Sequence, residues 1–304
     1  MRYRRARAFR FSGGVYRMKQ EARRRVAIGF LTAPAYVWLT VTVLLPLSAM
    51  LFFSFLTVAP IGGREAQFTT EHYLTFVDKD FYRTLTWRSL RLGFDVTLAC
   101  VLIGYPAALA LAKYVRGRWR EAIFLLIVLP FWSNALVRTF SWTMVLREGG
   151  FLDSAIHWLS PDAPPFSILF TYPAIVLGLV HSFLPYVILT CYISLEAIDD
   201  SLLEAARSLG ANALQMFLRV MLPLSLPGLF AGVILTFIPV IGSFMEPRIL
   251  GGRAGIMLGT VIEDQFTTVF NWPRGAALSF IMLGIVLLIF AASAPLLRGR
   301  LKGL

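Results

Sequence analysis

Residues 204–228, EAARSLGANALQMFLRVMLPLSLPG, decide how the chain is interpreted. This partly charged stretch lies between two long apolar runs. Its apolar residues recur every three or four positions, which predicts a helical face. That face comprises Leu203, Ala206, Leu209 or Gly210, Ala213, Phe217 and Val220. Ser201 and Glu204 fit a capping box at the start of a helix, and Gly210 offers a hinge or a close backbone approach. Pro223 is tolerated at a helix start, so two helices joined at a glycine corner are predicted, the second running onward.

The composition places the chain in a membrane. Hydrophobic residues make up 57% of it and charged residues 15%, with a mean hydropathy of +0.69. Soluble domains usually carry about 25% charged residues. Runs of roughly 20 apolar residues are long enough to span a bilayer as helices. Six runs qualify, which predicts an all-α polytopic membrane protein; they cover about 27–56, 89–112, 122–146, 168–194, 224–245 and 275–297.

The basic residues predict the orientation. The net charge is +12, and residues 1–26 carry ten Lys and Arg residues against Glu21 alone. With this tail in the cytoplasm, the predicted inner segments hold nineteen basic residues and the outer loops hold eight. Cytoplasmic loops of membrane proteins carry such an excess, so both termini are expected to be cytoplasmic. The tail then fixes topology and meets anionic lipid, and no nucleic-acid partner is expected.

A spaced motif lies within the opening stretch. Its parts follow the order EAA-x3-G-x9-V-x-LP, and they resemble the EAA loop of binding-protein-dependent ABC transporter permeases, with valine in place of isoleucine. The resemblance covers about residues 85–297 and implies the type I ABC importer permease fold with six transmembrane helices. It also implies that the loop is a coupling helix that inserts into a cleft of an ATPase subunit. The residues that carry this role are Glu204, Ala205, Ala206, Gly210, Val220, Leu222 and Pro223.

The same resemblance implies the partners and the location. A second permease subunit, two cytoplasmic ATPase subunits and an extracytoplasmic solute-binding protein are expected, in a bacterial inner membrane. The sequence has no G-x-x-x-x-G-K-[ST] stretch, so ATP and Mg are expected on the ATPase subunits. No catalytic, cofactor-binding or metal site is expected here, because His72, His157 and His181 are scattered and Cys100 and Cys191 sit in apolar runs.

The predicted boundaries divide the chain into four parts. Residues 1–26 form the basic cytoplasmic tail, and residues 27–84 form the first transmembrane helix with an outer loop. Residues 85–297 form the importer transmembrane domain, with the coupling loop at 195–223, and residues 298–304 form the cytoplasmic C-terminus. A short helix is expected in the outer loop from Phe151 to Leu159, between Gly and Pro breakers. Any further role of the tail stays open.

Three other stretches narrow the solute. FWSNALVRTFSW (131–142), EPRILGG (246–252) and NWPRGAALS (271–279) resemble segments of spermidine/putrescine permeases. This resemblance implies a polyamine importer subunit. Importers of opines, amino-acid-like solutes and ferric iron have related permeases, so those solutes remain alternatives.

Polyamines are extended polycations, so a path for them should offer carboxylates and aromatic faces. The candidate path residues are Asp95, Trp132, Ser133, Arg138, Trp142 and Glu246. The candidates also have purely structural interpretations. Asp95 could pair with Arg91, and Glu246 could pair with Arg248. The tryptophans could pack in the core or lie in an interfacial belt. Arg138 would repel a cation in an open path, so we expect it to pair with another group of the protein. If Arg138 lined the path instead, an anionic or zwitterionic solute would be favoured. Glu263 and Asp264 are expected to face solvent or a partner.

Two other classes of protein compete with an importer subunit. An integral-membrane enzyme would need catalytic groups clustered at one membrane depth, and the scattered histidines disfavour it. An ATP-independent carrier would need no loop that docks an ATPase. Co-purification of an ATPase with a phosphate-binding loop separates these classes, because only the importer subunit should retain one.

Overall fold

The structure, a computed structural model, describes residues 31–59 and 65–301. Within these ranges the chain is helical apart from its connections and one isolated bridge between Leu56 and Phe68. The helices are α1 (Leu31–Phe53), α2 (Glu71–Asp78), α3 (Asp80–Lys113), α4 (Arg118–Val128), α5 (Ala135–Leu146), α6 (Phe151–Leu159), α7 (Tyr172–Glu196), α8 (Asp200–Ser208), α9 (Ala213–Gly242), α10 (Met245–Gly251), α11 (Leu258–Thr267) and α12 (Trp272–Leu301).

The predicted all-α membrane architecture is confirmed. Five of the described helices are long and apolar enough to cross a membrane, or six when one bent pair counts as a single span. The short helix predicted at Phe151–Leu159 is also confirmed. The basic tail 1–26, the first four residues of the predicted first span and residues 302–304 of the predicted C-terminal segment lie outside the described residues.

The core of the bundle lies between α3, α7 and α9. Fully buried side chains from α3 meet fully buried side chains from α7, and α9 covers them; the set includes Val96, Cys100, Ile175, Leu179, Val187, Cys191, Leu195 and Val240. Both cysteine thiols are therefore packed inside this core. By contrast, α1 buries no side chain in its apolar stretch and runs along the outside.

The third predicted span, 122–146, is wrong as one straight helix. Helix α4 passes into a 3-10 turn at Leu129–Trp132, Ser133 is extended, and α5 begins a new direction at Ala135. The bend between the two helical parts is 99°. Pro130 supplies the physical reason, because its ring cannot donate a backbone hydrogen bond and disfavours a continuous α-helix. Asn134 then caps α5 by accepting from the backbone N–H of Leu136 at 2.8 Å.

A packed layer of short helices follows α9. The sequence predicted only an outer segment at 247–274, but α10 and α11 fold back against the long helices. Leu250 is fully buried against α7, where it contacts Gly178. The backbone N–H of Leu258 donates to the Ser89 hydroxyl of α3 at 3.0 Å. This layer therefore holds the side chains of α10 beside the middle of α7.

Two glycines let α9 approach α7 closely. An added Cβ at Gly228 would overlap the Thr190 carbonyl oxygen and the Ser194 hydroxyl. One at Gly232 would lie 2.6 Å from the Thr190 hydroxyl and 3.1 Å from the Val187 Cα. Small residues spaced by four allow such backbone contact between membrane helices.

Gly228→Ala is expected to destabilise the protein by about 1–3 kcal/mol, because the methyl group must displace the backbone of α7. Thermal unfolding of the purified protein in detergent measures this. Gly284→Ala is the matched control in α12, where an added Cβ meets nothing within 4 Å. Alanine has the higher helix propensity, so this control should leave stability unchanged or raise it. Equal destabilisation of both variants would contradict the close α7–α9 contact.

Candidate functional site

The EAA segment (residues 198–223) begins with an aspartate cap. The Asp199 side chain accepts from the backbone N–H of Ser201 at 2.9 Å, and α8 starts at Asp200. The predicted Ser201–Glu204 capping box is therefore wrong, because the helix begins earlier and an aspartate caps it equally well. The same backbone hydrogen bond from Ser201 holds the pKa of the Asp199 carboxyl below its ordinary value.

The predicted glycine corner is confirmed at Gly210, whose φ is +80°. Its backbone N–H donates to the Arg207 carbonyl at 2.9 Å, and that of Ala211 donates to the Ala206 carbonyl at 3.0 Å. This pair of bonds is a Schellman motif, which satisfies the last carbonyls of α8. A Cβ at Gly210 would meet open space, so the requirement for glycine here is conformational. The corner is a defined turn with an open surface.

The second helix of the segment starts with its own capping box. The Gln215 backbone N–H donates to the Asn212 side chain at 2.8 Å, and the Asn212 backbone N–H donates to the Gln215 side chain at 3.0 Å. From here α9 runs without a break into the membrane, as predicted. Pro223 does not start a new helix; a π-helical turn at Phe217–Met221 precedes it and accommodates the missing backbone donor.

The EAA motif divides into an exposed part and an anchored part. Glu204, Ala205 and Gly210 are exposed, and the neighbouring Leu209 is 88% exposed. The other motif residues are half-buried, and two of them pack on the core between α3, α7 and α9; these residues are Ala206, Val220, Leu222 and Pro223. Of the predicted apolar face, Leu203 is buried, whereas Leu209 and Ala213 are exposed. The turn at Gly210 thus fixes the position of an exposed surface made of small residues and Leu209.

The break between α4 and α5 explains two predicted path residues. The Arg138 guanidinium donates to the Pro130 carbonyl at 2.9 Å, and the Ser133 hydroxyl donates to the same carbonyl at 2.8 Å. The Ser133 backbone N–H also donates to this carbonyl, at 3.2 Å, so the break satisfies it with three donors. The expected structural pairing of Arg138 is therefore found, with a carbonyl as the partner. Its position cannot be counted along one straight helix, because the 99° bend intervenes.

The two predicted tryptophans have different surroundings. The Trp142 indole N–H donates to His181 Nδ1 at 3.2 Å, with the rings edge to face and their centroids 5.5 Å apart. Trp142 also packs on the buried cluster of Leu146 and Leu250, so it joins α5 to α7 and α10. Trp132 lies at the break and is 87% exposed in the single chain. Packing thus accounts for Trp142, and Trp132 presents an open aromatic face.

Asp95 is compensated by its neighbours. The Tyr172 hydroxyl donates to its carboxylate at 2.7 Å, and Arg91 Nε lies 3.6 Å from the same oxygen. Arg91 also stacks over the Tyr172 ring, 5.9 Å from its centroid. The structural alternative of pairing with Arg91 is therefore present, and it fixes the start of α7 to α3.

The structural alternative for Glu246, pairing with Arg248, is not found. Arg248 instead forms ion pairs with Glu263, at 2.7 Å, and with Asp264. These acidic residues therefore have an intramolecular partner, although solvent or a partner was expected. Glu263 also forms the wall of a cleft of about 440 Å³ between α9, α11 and α12, beside Phe244 and Phe266.

Glu246 is left with hydroxyl partners. The Ser243 hydroxyl donates to one carboxylate oxygen at 2.9 Å, and the Ser182 hydroxyl lies 3.5 Å from the other. Among the described residues, no basic side chain forms an ion pair with it. Ser182 follows Tyr172 by ten residues, so it lies about 15 Å along α7 at 1.5 Å per residue. A carboxylate without a countercharge is thus placed beside the middle of a membrane helix.

The structure does not gather the six predicted path residues at one point. Arg138, Trp142 and Glu246 lie on elements that pack together around α7, whereas Asp95 sits near the start of α7 with its own partners. Sequence reasoning missed His181, Ser182 and Ser243, since ordinary polar residues in apolar runs carry no pattern. Within the described residues, no group of three His, Cys, Asp or Glu side chains could hold a metal ion.

Comparisons with known proteins agree on one family. The family model described as binding-protein-dependent transport system inner membrane component matches residues 101–302. The chain is 36% identical over 268 residues to the spermidine/putrescine transport system permease protein PotB of Escherichia coli (strain K12). That alignment covers 87% of this chain and 97% of PotB.

Solved structures share the fold. The crystal structure of a bacterial ABC transporter involved in the import of the acidic polysaccharide alginate matches with a TM-score of 0.71 at 15% identity, covering 93% of this chain and 98% of that one. The same kind of transporter in complex with an alginate pentasaccharide-bound periplasmic protein matches with a TM-score of 0.67 at 15% identity, covering 92% and 98%. At such identity the likeness establishes the fold alone.

Proposed function

Because this chain belongs to the family of binding-protein-dependent transport system inner membrane components, we propose that it is the permease subunit of an ATP-driven polyamine importer. It forms half of a translocation path across the inner membrane. Its transmembrane domain covers residues 85–297, after the first helix and outer loop at 27–84, and both termini face the cytoplasm.

The observation that carries this proposal is the geometry of the EAA segment. An amphipathic helix ends at a fixed Gly210 turn and presents Glu204, Ala205 and Leu209 to solvent. Small side chains permit close approach of a partner, and helices of this kind dock into grooves. The sequence has no phosphate-binding loop of the G-x-x-x-x-G-K-[ST] type, so the nucleotide chemistry belongs to a partner.

The proposed assembly supplies what this chain lacks. A second permease subunit completes the path, two cytoplasmic ATPase subunits bind ATP and Mg, and an extracytoplasmic protein delivers the solute. Closure of the ATPase pair moves the EAA segment, and the continuous helix α9 carries that movement from Ala213 into the membrane. Alternating access between the two permeases then releases the solute inward.

The solute proposal rests on Glu246 and on the likeness to PotB. The Glu246 carboxylate has only hydroxyl partners among the described residues, and it lies beside the middle of α7. An uncompensated carboxylate there is costly unless a cation joins it. An ammonium group of a polyamine supplies that cation. Trp132, exposed at the α4–α5 break, offers an aromatic face for the alkyl chain and its ammonium groups.

Uptake of radiolabelled spermidine tests the function. Cells that express the complete transporter from its gene cluster should show saturable uptake that excess putrescine competes. An opine-like amino-acid conjugate and ferric iron serve as competitors for the alternative solutes. Affinity purification of this chain from the same cells should bring down a phosphate-binding-loop ATPase.

The two readouts separate the two parts of the proposal. No spermidine uptake, with the ATPase still bound, would keep the importer and discard the polyamine. Spermidine uptake without any bound ATPase and without dependence on ATP would identify an ATP-independent carrier instead.

A further inference from the structure

A lysine joins three helices at the end of the bundle that bears the EAA segment. Lys113 is the last residue of α3, and its side chain is only 10% exposed. Its ammonium donates to the Ile198 carbonyl at 2.8 Å, in the connection that follows α7. It also donates to the Asp200 carboxylate at 2.8 Å, at the first residue of α8. One charged group therefore ties α3 both to the end of α7 and to the start of the EAA helix.

The low exposure of Lys113 makes its two hydrogen bonds important for stability. A nearly buried ammonium is costly unless its hydrogen bonds are satisfied, and here a carbonyl and a carboxylate satisfy two of its three donors. The hydrogen bond from Lys113 holds the pKa of the Asp200 carboxyl below its ordinary value. Removing the ammonium leaves the Ile198 carbonyl and the Asp200 carboxylate without their partner.

A second ion pair lies beside the first. Arg120 of α4 lies 2.6 Å from Glu196, the last residue of α7. Both side chains are more than a third exposed, and the Asp200 side chain is exposed as well, so water screens both ion pairs and only the Lys113 side chain is nearly buried. Arg120 and Glu196 join α4 to α7 and do not reach α8, so among the ion pairs of the described residues only Lys113–Asp200 links the EAA helix to a membrane helix.

The contact uses other residues than the exposed docking surface does, although Glu204 lines the same cleft as Lys113 and Asp200. Helix α8 buries one side chain, Leu203, and otherwise faces outward through Glu204, Ala205 and Leu209. Lys113 contacts the first residue of α8, Asp200, at the end of the helix away from the Gly210 turn. Chain connectivity links α8 directly to α7 and α9, but α3 receives movement of α8 only through packing and through Lys113. Loss of Lys113 would therefore spare docking and weaken transmission.

We propose that Lys113 is a positioning residue that transmits movement of the EAA helix to helix α3. This inference rests on the proposed function, since it assigns a role within the coupling of ATP hydrolysis to transport. When the ATPase subunits displace α8, the Lys113 ammonium makes α3 follow it together with α7. Without that ammonium, the ATPases bind and hydrolyse ATP, but α3 lags and the path fails to switch.

Lys113→Met tests this in proteoliposomes that hold the complete transporter and spermidine. Methionine keeps an apolar stem and removes the ammonium. The expected result is normal ATPase association, continued ATP hydrolysis, and a fall of about tenfold or more in spermidine transported per ATP, within the usual range of coupling between sites. Lys113→Arg, which keeps the charge and the donors, should restore most of that ratio.

Arg116→Met is the matched control. It removes one positive charge from the same loop, at an exposed residue whose charge also acts on the Asp200 carboxylate but which forms no ion pair among the described residues. An unchanged transport-to-ATP ratio in Lys113→Met would overturn the proposal, and so would loss of ATPase association in that variant. Equal uncoupling by Arg116→Met would also overturn it. Failure of the proposed function would look different, because the wild-type chain itself would then bind no ATPase or transport no spermidine.

Discussion

Gly210→Arg is expected to abolish ATPase association and solute uptake while membrane insertion stays intact. The φ of +80° at this residue disfavours any L side chain, at a cost of roughly 1–2 kcal/mol. The larger effect comes from the arginine itself, which would project from the exposed turn into the docking surface beside Glu204 and Leu209. Disruption at the centre of an interface costs about 2 kcal/mol or more, a loss of roughly 30-fold in affinity. Affinity purification and uptake measure the two effects in the same cells.

Gly210→Asn is the matched control for the turn. Asparagine tolerates the left-handed conformation and occurs at the same position of the Schellman motif, so the corner itself is retained. This variant should keep most of the ATPase association and a large part of the uptake. Normal association in Gly210→Arg would show that the EAA segment is not the docking surface.

The helix–glycine–helix segment could be predicted because its signals are local. Apolar spacing, a glycine in the middle and proline at the membrane entry determine two helices whatever surrounds them. The first cap was wrong, since Asp199 precedes Ser201 and both residue types cap helices well. Leu209 and Ala213 of the predicted apolar face are exposed, and Pro223 lies within a continuous helix. The capping box at Asn212 and Gln215 was readable by the same rule.

The break at residues 133–134 could not be predicted from hydropathy. The run 122–146 is mostly apolar, and the polar residues in it, such as Ser133 and Asn134, do not lower its hydropathy below that of a span. Pro130 was a local signal, but proline also occurs inside continuous helices of this chain, as Pro106 does in α3. Pro130 ends the helix here because Arg138 and Ser133 stabilise the break by donating to its carbonyl, and hydropathy does not report such contacts.

The partners of the charged groups were equally beyond the sequence. Arg248 lies two residues from Glu246, yet it reaches Glu263 and Asp264 because α11 folds back against α10. That folding depends on contacts far apart along the chain, such as Ser89 with Leu258. Lys113 and Asp200 are separated in the same way. Short spacing predicted the Arg91–Asp95 pair because both residues lie on one helix, four positions apart.

Glu246→Gln is expected to lower spermidine uptake at sub-saturating concentration by about 10- to 100-fold, because a hydrogen bond to a charged group contributes roughly 1.5–3 kcal/mol. The glutamine amide oxygen can still accept from Ser243, and its amide N–H can donate to the Ser182 hydroxyl, so the position of α10 is preserved. ATPase association and the amount of assembled transporter should therefore stay normal. Glu246→Asp keeps the charge on a shorter side chain and should lose less uptake than Glu246→Gln does.

Asp95→Asn is the matched control, because it makes the same carboxylate-to-amide change at a residue whose charge is already compensated. Arg91 lies beside Asp95, and the Tyr172 hydroxyl can still donate to an amide oxygen, so most uptake should remain. Normal uptake in Glu246→Gln would remove Glu246 from the path. An equal loss of uptake in both variants would mean that neither carboxylate binds the cation. Both residues contact α7, so the loss would then come from a changed position of that helix. A loss of uptake in Glu246→Gln alone leaves direct attraction between Glu246 and the cation as the explanation. Of the two carboxylates, only that of Glu246 lacks a basic partner among the described residues.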